Sequence, residues 1–234
     1  MLCIGHRGAM GHAPENTIAS IAKALELGAS CVEVDVYYVD GQLVVFHDER
    51  LERTTNGSGY IFEQSFDSLR KLDAGNGQKI PILEEIFETV DRRAGIDIEL
   101  KGPRTADHVV ELVSTLGWPN ELILISSFNH RELKRVRELD DNVMIGALIV
   151  GLPVDDAAFA SDLGAYSVHQ SIEFIDSRFV DNAHARGLRV FVFTVNHPED
   201  IARMRDLKVD GIYTDYPDRV LAYNEGKDIT IRWP

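Results

Sequence analysis

Short apolar runs alternate with amphipathic segments along almost the whole chain, and this alternation constrains the fold more than any other feature. Each run has the length and β-branched content of a buried strand, and a segment with the apolar spacing of a helix usually follows it. The leading strands are predicted near residues 2, 31, 96, 121, 143, 165, 188 and 209. Eight such units in 234 residues predict one domain, residues 1–234, with a (β/α)8 TIM barrel fold.

A doubly wound open sheet is the alternative fold for a chain with this pattern. No glycine-rich dinucleotide-binding motif follows any of the predicted strands, which disfavours that alternative. One part of the chain interrupts the alternation, from about residue 49 to about residue 81. It contains the turn-rich stretches RTTNGSGY and GNGQKIP and one weak helical segment, QSFDSLRKL. This composition predicts a small insertion or lid after the second strand.

The charge and composition exclude several classes of partner. The net charge is −14, with 38 acidic and 24 basic residues, which argues against binding to nucleic acid or to anionic lipid. An anionic small-molecule substrate therefore needs a local cation. No apolar run reaches the roughly 18 residues of a membrane span, so none is predicted. The two cysteines are predicted to be buried free thiols, which favours a cytoplasmic location. The sequence leaves open whether the protein forms a homo-oligomer.

The second strand, CVEVDVYYV, has two faces of opposite character. Val32, Val34 and Val36 fall on one face, whereas Glu33 and Asp35 fall side by side on the other. Like-charged carboxylates repel each other and resist burial, so this placement needs a functional explanation. The chain then turns at Asp40-Gly41, returns along QLVVF and reaches His47.

Active sites of TIM barrels lie at the carboxyl ends of the strands, so the polar residues at those ends are the candidates. The acids Glu33, Asp35 and Glu99 are all placed there. Three like charges are stable together only beside a cation, and an all-oxygen set predicts Mg²⁺ or Ca²⁺. An ion-pair network with Arg7 and Lys101 is the purely structural alternative.

Two histidines, His6 and His47, are predicted at strand ends close to these acids. The ordinary pKa of histidine lies near working pH, which suits a general acid and a general base. Arg7 and Lys101 supply the cations that would bind a phosphate. His169 is also placed at a strand end, and we interpret it as a substrate contact. Together these residues predict metal-assisted cleavage of a phosphate ester.

The order of the motifs resembles that of the glycerophosphodiester phosphodiesterase family. The matching stretches are GHRG (5–8), PENT (14–17), EVDV (33–36), FHD (46–48), ELK (99–101), SSF (126–128), FTVN (193–196) and TDYPD (214–218). The resemblance implies metal-dependent hydrolysis of glycerophosphodiesters, such as glycerophosphocholine, to glycerol 3-phosphate and an alcohol.

The resemblance also implies roles for individual residues. By motif, the acids Glu33, Asp35 and Glu99 match the metal ligands, His6 and His47 match the acid–base pair, and Arg7 and Lys101 match the phosphate-binding cations. Glu15 is a supporting site residue in this interpretation, although its position also allows a helix-capping role. Phe193 stands where many family members have Trp, which keeps an aromatic wall but removes an indole donor.

Three other functions are compatible with these residues. The first is cleavage of lysophospholipids by a lysophospholipase D, and a long apolar channel would be evidence for it. The second is a sugar-phosphate isomerase or aldolase, which predicts a Schiff-base lysine or more metal-ligating histidines. The third is a barrel that binds phosphodiesters without catalysis, in which one of the acids or histidines would normally be missing.

Overall fold

Among residues 1–224, which the computed structural model describes, the apolar runs form nine strands. Their bounds are β1 Leu2–Gly5, β2 Cys31–Val39, β3 Gln42–Val45, β4 Gly95–Leu100, β5 Ile123–Ser127, β6 Met144–Ile149, β7 Ser167–Ser171, β8 Arg189–Phe193 and β9 Gly211–Thr214. The end of the predicted domain, residues 225–234, lies outside the described residues.

Eight of these strands close into a parallel barrel. The hydrogen-bonded order is β1-β9-β8-β7-β6-β5-β4-β2, and β1 also pairs with β2, which joins the two ends. The remaining strand, β3, pairs antiparallel with β2 through the turn at Asp40-Gly41. This topology confirms the predicted (β/α)8 barrel and excludes the open doubly wound sheet.

Helices follow the barrel strands on the outside. Their bounds are α1 Ile18–Glu26, α2 Phe66–Leu69, α3 Leu83–Val90, α4 Thr105–Leu116, α5 His130–Leu139, α6 Ala158–Asp162, α7 Ser177–Ala185, α8 Pro198–Asp206 and α9 Pro217–Tyr223. The helix α3 was not predicted; it covers LEEIFETV and buries Leu83, Ile86, Phe87 and Val90. The helix α1 begins at Ile18, because the side chain of Thr17 accepts the Ser20 N–H and caps the helix.

Two apolar layers explain why the strands alternate as they do. Val32, Val34 and Val36 of β2 pack in the outer layer with helix residues such as Ile21 of α1 and Ile86 of α3. A second cluster, which includes Ile4, Leu124 and Phe191, fills the inside of the barrel. Both cysteines are free and buried, as predicted. Within residues 1–224, no helix is both long and apolar enough to cross a membrane.

The insertion after the β2–β3 hairpin has its own small core. It contains a 3₁₀ turn, Ile61–Glu63, and helix α2. The side chains of Ile61, Leu69 and Ile80 pack there against residues of the hairpin such as Val44. The segment is therefore a packed unit attached to the hairpin, and it follows directly after His47.

Gly146 of β6 lies where an added side chain would collide with His169 of β7. A Cβ at this position would be 2.3 Å from Nε2 and 2.4 Å from Cε1 of the buried imidazole. We expect Gly146→Ala to lower the free energy of unfolding by about 1–3 kcal/mol in a denaturant titration, because the barrel interior is filled. In a His169→Ala background the same substitution should cost less, and an equal cost in both backgrounds would contradict the predicted collision.

Candidate active site

The register between β2 and β4 brings the acidic residues together. Asp35 lies directly opposite Glu99 on the neighbouring strand, and Glu33 lies opposite Asp97. One carboxylate oxygen from each of Glu33, Asp35 and Glu99 lies within 4.8 Å of the other two. The side chains of Glu33 and Asp35 are buried, at 3% and 1% exposure. The structure thus joins the three acids that the sequence placed at strand ends.

Hydrogen-bond donors stabilise part of this negative charge. Lys101 donates from Nζ to Glu99 Oε1 at 2.8 Å, and the Arg7 main-chain N–H donates to Glu33 Oε2 at 2.8 Å. Burial and the nearby Asp35 charge still raise the pKa of Glu99 to about 7, and raise that of Glu33 well above its ordinary value. Burial opposes ionisation of Asp35 too, but Arg7 and Lys101 outweigh it and lower the pKa of that carboxyl.

Two oxygens of the acidic group keep no hydrogen-bond partner among the described residues. They are Glu33 Oε1 and Asp35 Oδ1, and both are buried. The 3.6 Å distance from Asp35 Oδ1 to Lys101 Nζ is too long for a hydrogen bond. Buried acceptors without a donor are costly, and an all-oxygen set is the kind that Mg²⁺ and Ca²⁺ bind. The residues therefore fit a hard divalent cation, whereas the ion-pair alternative reaches Asp35 Oδ1 only through Lys101 Nζ and leaves Glu33 Oε1 without a partner among the described residues.

Each of the two histidines is held by a carboxylate through Nδ1. His6 Nδ1 lies 2.7 Å from Asp215 Oδ1, and Asn196 donates to the other oxygen of Asp215 at 2.7 Å. His47 Nδ1 lies 2.5 Å from Asp48 Oδ1. A carboxylate acceptor assigns the proton to Nδ1 in the neutral ring, which leaves Nε2 as the basic nitrogen. Both rings are thus fixed in the form that can accept a proton at Nε2.

These side chains surround one cavity of about 190 Å³ at the carboxyl ends of the strands. Its lining includes six residues predicted from the sequence: His6, Arg7, Glu33, His47, Glu99 and Phe193. Phe128 adds a second aromatic ring, 5.7 Å from the Phe193 ring in an edge-on contact. The cavity combines acids, the Arg7 guanidinium, two imidazole rings and an apolar wall, which is an arrangement suited to a polar ester with a carbon skeleton.

Known proteins share both the sequence and this architecture. Residues 6–219 match the model of the glycerophosphoryl diester phosphodiesterase family. The chain belongs to this family. It is 36% identical to a glycerophosphodiester phosphodiesterase from Caldanaerobacter subterraneus subsp. tengcongensis, over 94% of this chain and 96% of the relative. Membership makes the protein an enzyme of the phosphoric diester hydrolase class.

Two further relatives agree with this assignment. A glycerophosphodiester phosphodiesterase from Bacillus subtilis is 32% identical, over 93% of this chain and 84% of the relative. The solved structure of an Oleispira antarctica phosphodiesterase, in complex with the product sn-glycerol-3-phosphate, superposes with a TM-score of 0.90. That structure is 31% identical and covers 97% of each chain.

Glu15 of the enzyme lies behind Arg7 and does not cap a helix. Its Oε1 accepts a hydrogen bond of 2.6 Å from Arg7 Nη1, whereas Thr17 caps α1. Burial opposes ionisation of Glu15, but hydrogen bonds and charge from Arg53 and Arg7 lower its pKa overall. Glu15 thus contacts the guanidinium of Arg7, a position that suits the supporting role suggested by the PENT motif.

The prediction that His169 lies at a strand end is wrong, and its role as a substrate contact stays a prediction. β7 continues to Ser171, so His169 is a mid-strand residue that is fully buried in the barrel. Its Nδ1 lies 2.9 Å from Tyr213 Oη, and its Nε2 lies 2.8 Å from Ser167 Oγ. Burial lowers the pKa of His169 to about 3, so its ring is neutral. The Tyr213 hydroxyl donates to Asp97 at 2.6 Å, and this network supports the cavity from below.

Several partners of the site residues were not assigned from the sequence. Asp215 and Asp48 stand in the stretches TDYPD and FHD but were given no role from the sequence, yet they orient the two histidines. Asp48 carried a signal, since it follows His47 directly in the chain. Arg53 carried none, because an arginine in a turn-rich segment is ordinarily a solvated side chain.

The raised pKa of Glu99 predicts a pH-dependent difference in stability when divalent cations are removed. The folded-state pKa of about 7 exceeds the ordinary value of 4.5, so the folded state holds this proton more tightly. The stabilisation is complete below the ordinary value and is lost as the pH rises through the folded-state value. In EDTA, the free energy of unfolding of Glu99→Gln minus that of the wild type should therefore increase from about pH 5 to about pH 7.5.

This difference is the informative quantity, because other groups act in the opposite direction. Burial lowers the folded-state pKa values of His47 and His169, so these histidines stabilise the folded enzyme as the pH rises. Their contribution is common to both proteins and cancels in the comparison. Denaturant titrations at several pH values measure the difference, and a constant difference would contradict the buried, protonated state of Glu99.

Proposed function

We propose that this enzyme hydrolyses glycerophosphodiesters to glycerol 3-phosphate and an alcohol, with a divalent cation and two histidines. The observation that carries the proposal is one cavity lined by two of the three clustered acids, Glu33 and Glu99, and by the two carboxylate-held histidines. Glu33, Asp35 and Glu99 would hold Mg²⁺ or Ca²⁺. When bound, the cation supplies positive charge that favours the phosphate and the charge developing on its oxygens.

Arg7 and Lys101 would bind the phosphodiester. Arg7 is fixed from two sides, by Glu15 at 2.6 Å and by Asp35 at 3.3 Å, so its guanidinium is held in place before substrate arrives. Lys101 is anchored to Glu99. The protein carries a net charge of −14, so local cations are required to attract an anionic substrate into this cavity.

The two histidines would carry the proton transfers. One ring, neutral at the start, takes a proton at Nε2 from the attacking hydroxyl, and the other, an imidazolium at the start, gives its Nε2 proton to the oxygen of the leaving alcohol. The attacker is either the neighbouring glycerol hydroxyl, which forms a cyclic phosphate that water then opens, or water itself. In the cyclic route the two rings exchange roles in the second step, which returns both to their starting protonation states. Asp215 and Asp48 stabilise each ring while it is charged.

The aromatic wall favours the carbon skeleton of the substrate. Phe193 lines the cavity, and the side chain of Phe128 is 44% exposed at its edge. This exposed apolar surface is the observation that keeps lysophospholipids as a second candidate substrate. We further propose a cytoplasmic location, which suits two buried free thiols; a homo-oligomer stays a prediction from the sequence.

Substrate and metal dependence can be tested in one assay. The purified enzyme with Mg²⁺ or Ca²⁺ should release glycerol 3-phosphate from glycerophosphocholine, and EDTA should stop the release until the cation is restored. Glu33→Gln should need a higher cation concentration for half-maximal rate, because it removes a charged ligand. A parallel sample with lysophosphatidylcholine, assayed for choline, tests the second candidate. Full turnover after exhaustive chelation would refute the metal dependence.

Removal of either histidine should slow the reaction strongly. We expect His6→Ala and His47→Ala each to lower kcat by about 10²–10⁴-fold, the usual range for loss of a positioned acid or base. His108→Ala is the matched control, since the ring of His108 stacks on Tyr38 with centroids 3.5 Å apart and does not line the cavity. Steady-state kinetics measure the effect. Wild-type turnover in His47→Ala would refute the acid–base assignment.

A further inference from the structure

The guanidinium of Arg53, in the insertion, donates hydrogen bonds to two carboxylates. Toward Asp48 it donates from Nε at 2.6 Å and from Nη2 at 2.9 Å. Toward Glu15 it donates from Nη1 at 2.7 Å and from Nη2 at 2.8 Å. Both contacts are two-point forks, which fix direction as well as distance. One side chain therefore joins the loop after β3 to the loop before α1.

Each of these carboxylates also holds a residue of the catalytic cavity. Asp48 accepts from His47 Nδ1, and Glu15 accepts from Arg7 Nη1. A continuous chain of hydrogen bonds thus runs from His47 through Asp48, Arg53 and Glu15 to Arg7. Its two ends are the proposed proton-transfer residue and the proposed phosphate-binding residue.

Arg53 itself does not line the catalytic cavity. Its side chain lines a neighbouring cleft of about 540 Å³, together with Glu15, and is 46% exposed. A single exposed ion pair contributes little, but forked contacts within a network are the recognised exception. The Arg53 hydrogen bonds lower the pKa of Asp48 well below its ordinary range, so Asp48 remains an ionised acceptor for His47.

We propose that Arg53 is a positioning residue of the phosphodiesterase reaction, which bridges Asp48 and Glu15 and thereby fixes His47 relative to Arg7. The inference rests on the proposed function, in which His47 transfers a proton and Arg7 binds the phosphate. It makes the insertion part of the catalytic assembly. Lysine cannot replace this arginine, because an ammonium group cannot hold two carboxylates in a planar double fork.

The test compares Arg53→Gln and Arg53→Lys with Arg50→Gln. Arg50 is the matched control, since it lies in the same segment but pairs with Glu52 and covers the ring of Tyr60. With glycerophosphocholine and saturating cation, we expect kcat to fall on the order of 10–100-fold in both Arg53 variants, as for other residues that orient a functional group. The control should keep the wild-type kcat and KM.

The split between kcat and KM separates positioning from other roles. A rise in KM with an unchanged kcat would overturn the inference, because it would make Arg53 a substrate-binding residue of the neighbouring cleft. A wild-type kcat in Arg53→Lys would overturn it too, because charge alone would then suffice. Thermal melts accompany each variant; where Arg53→Gln fails to fold, the kcat of Arg53→Lys decides the question.

A combined background tests whether Arg53 acts through its two partners. In the Glu15→Gln/Asp48→Asn enzyme, the further change Arg53→Gln should alter kcat by less than about twofold, because no carboxylate remains to be bridged. The full loss in that background would overturn the inference. The outcome is distinct from a failure of the proposed function: inactivity of the wild type would refute the function, whereas an active wild type with a fully active Arg53→Gln refutes only the positioning role.

Discussion

The mutual repulsion of three carboxylates inside a protein is the constraint around which this site is built. Glu33, Asp35 and Glu99 converge because the β2–β4 register aligns them, although each resists burial as an anion. Neighbouring groups donate hydrogen bonds to some of the carboxylate oxygens. Asn16, for example, donates to Asp35 Oδ2 at 2.8 Å and accepts from the Asp35 main-chain N–H. The oxygens that remain without a donor mark where a bound cation would complete the set.

The barrel tolerates this charge because each strand separates two tasks. On β2, Val32, Val34 and Val36 face the outer helices and belong to the main apolar core, whereas the acids face the barrel interior. Apolar residues such as Ile4 and Phe191 fill the interior, and the polar network of Tyr213, Asp97 and His169 lies under the cavity. Stability and chemistry thus reside on opposite faces of the same strands, which is a general property of this architecture.

What the sequence predicted and what it missed have different physical origins. Period-two alternation and turn residues are local, so the strands, the Asp40-Gly41 hairpin and the positions of the acids could be predicted from the chain. The depth of His169 could not, because a propensity pattern does not locate the last residue of a strand to within one position. The helix α3 was overlooked because it directly follows the irregular insertion. The contacts of Arg53 depend on how that insertion packs, which no local pattern specifies.

The two histidines are held by different parts of the molecule, and this has a consequence for how the enzyme can vary. His6 is oriented by Asp215 and, through it, by Asn196, residues that follow the last two barrel strands. His47 is oriented by Asp48, whose other contacts come from Arg53 in the insertion. Changes in the insertion are therefore expected to act on His47 and to leave His6 in place. In the proposed mechanism the two histidines serve opposite steps of the same proton transfer, so a shift of His47 alone would suffice to limit the reaction while the acids and His6 stay intact.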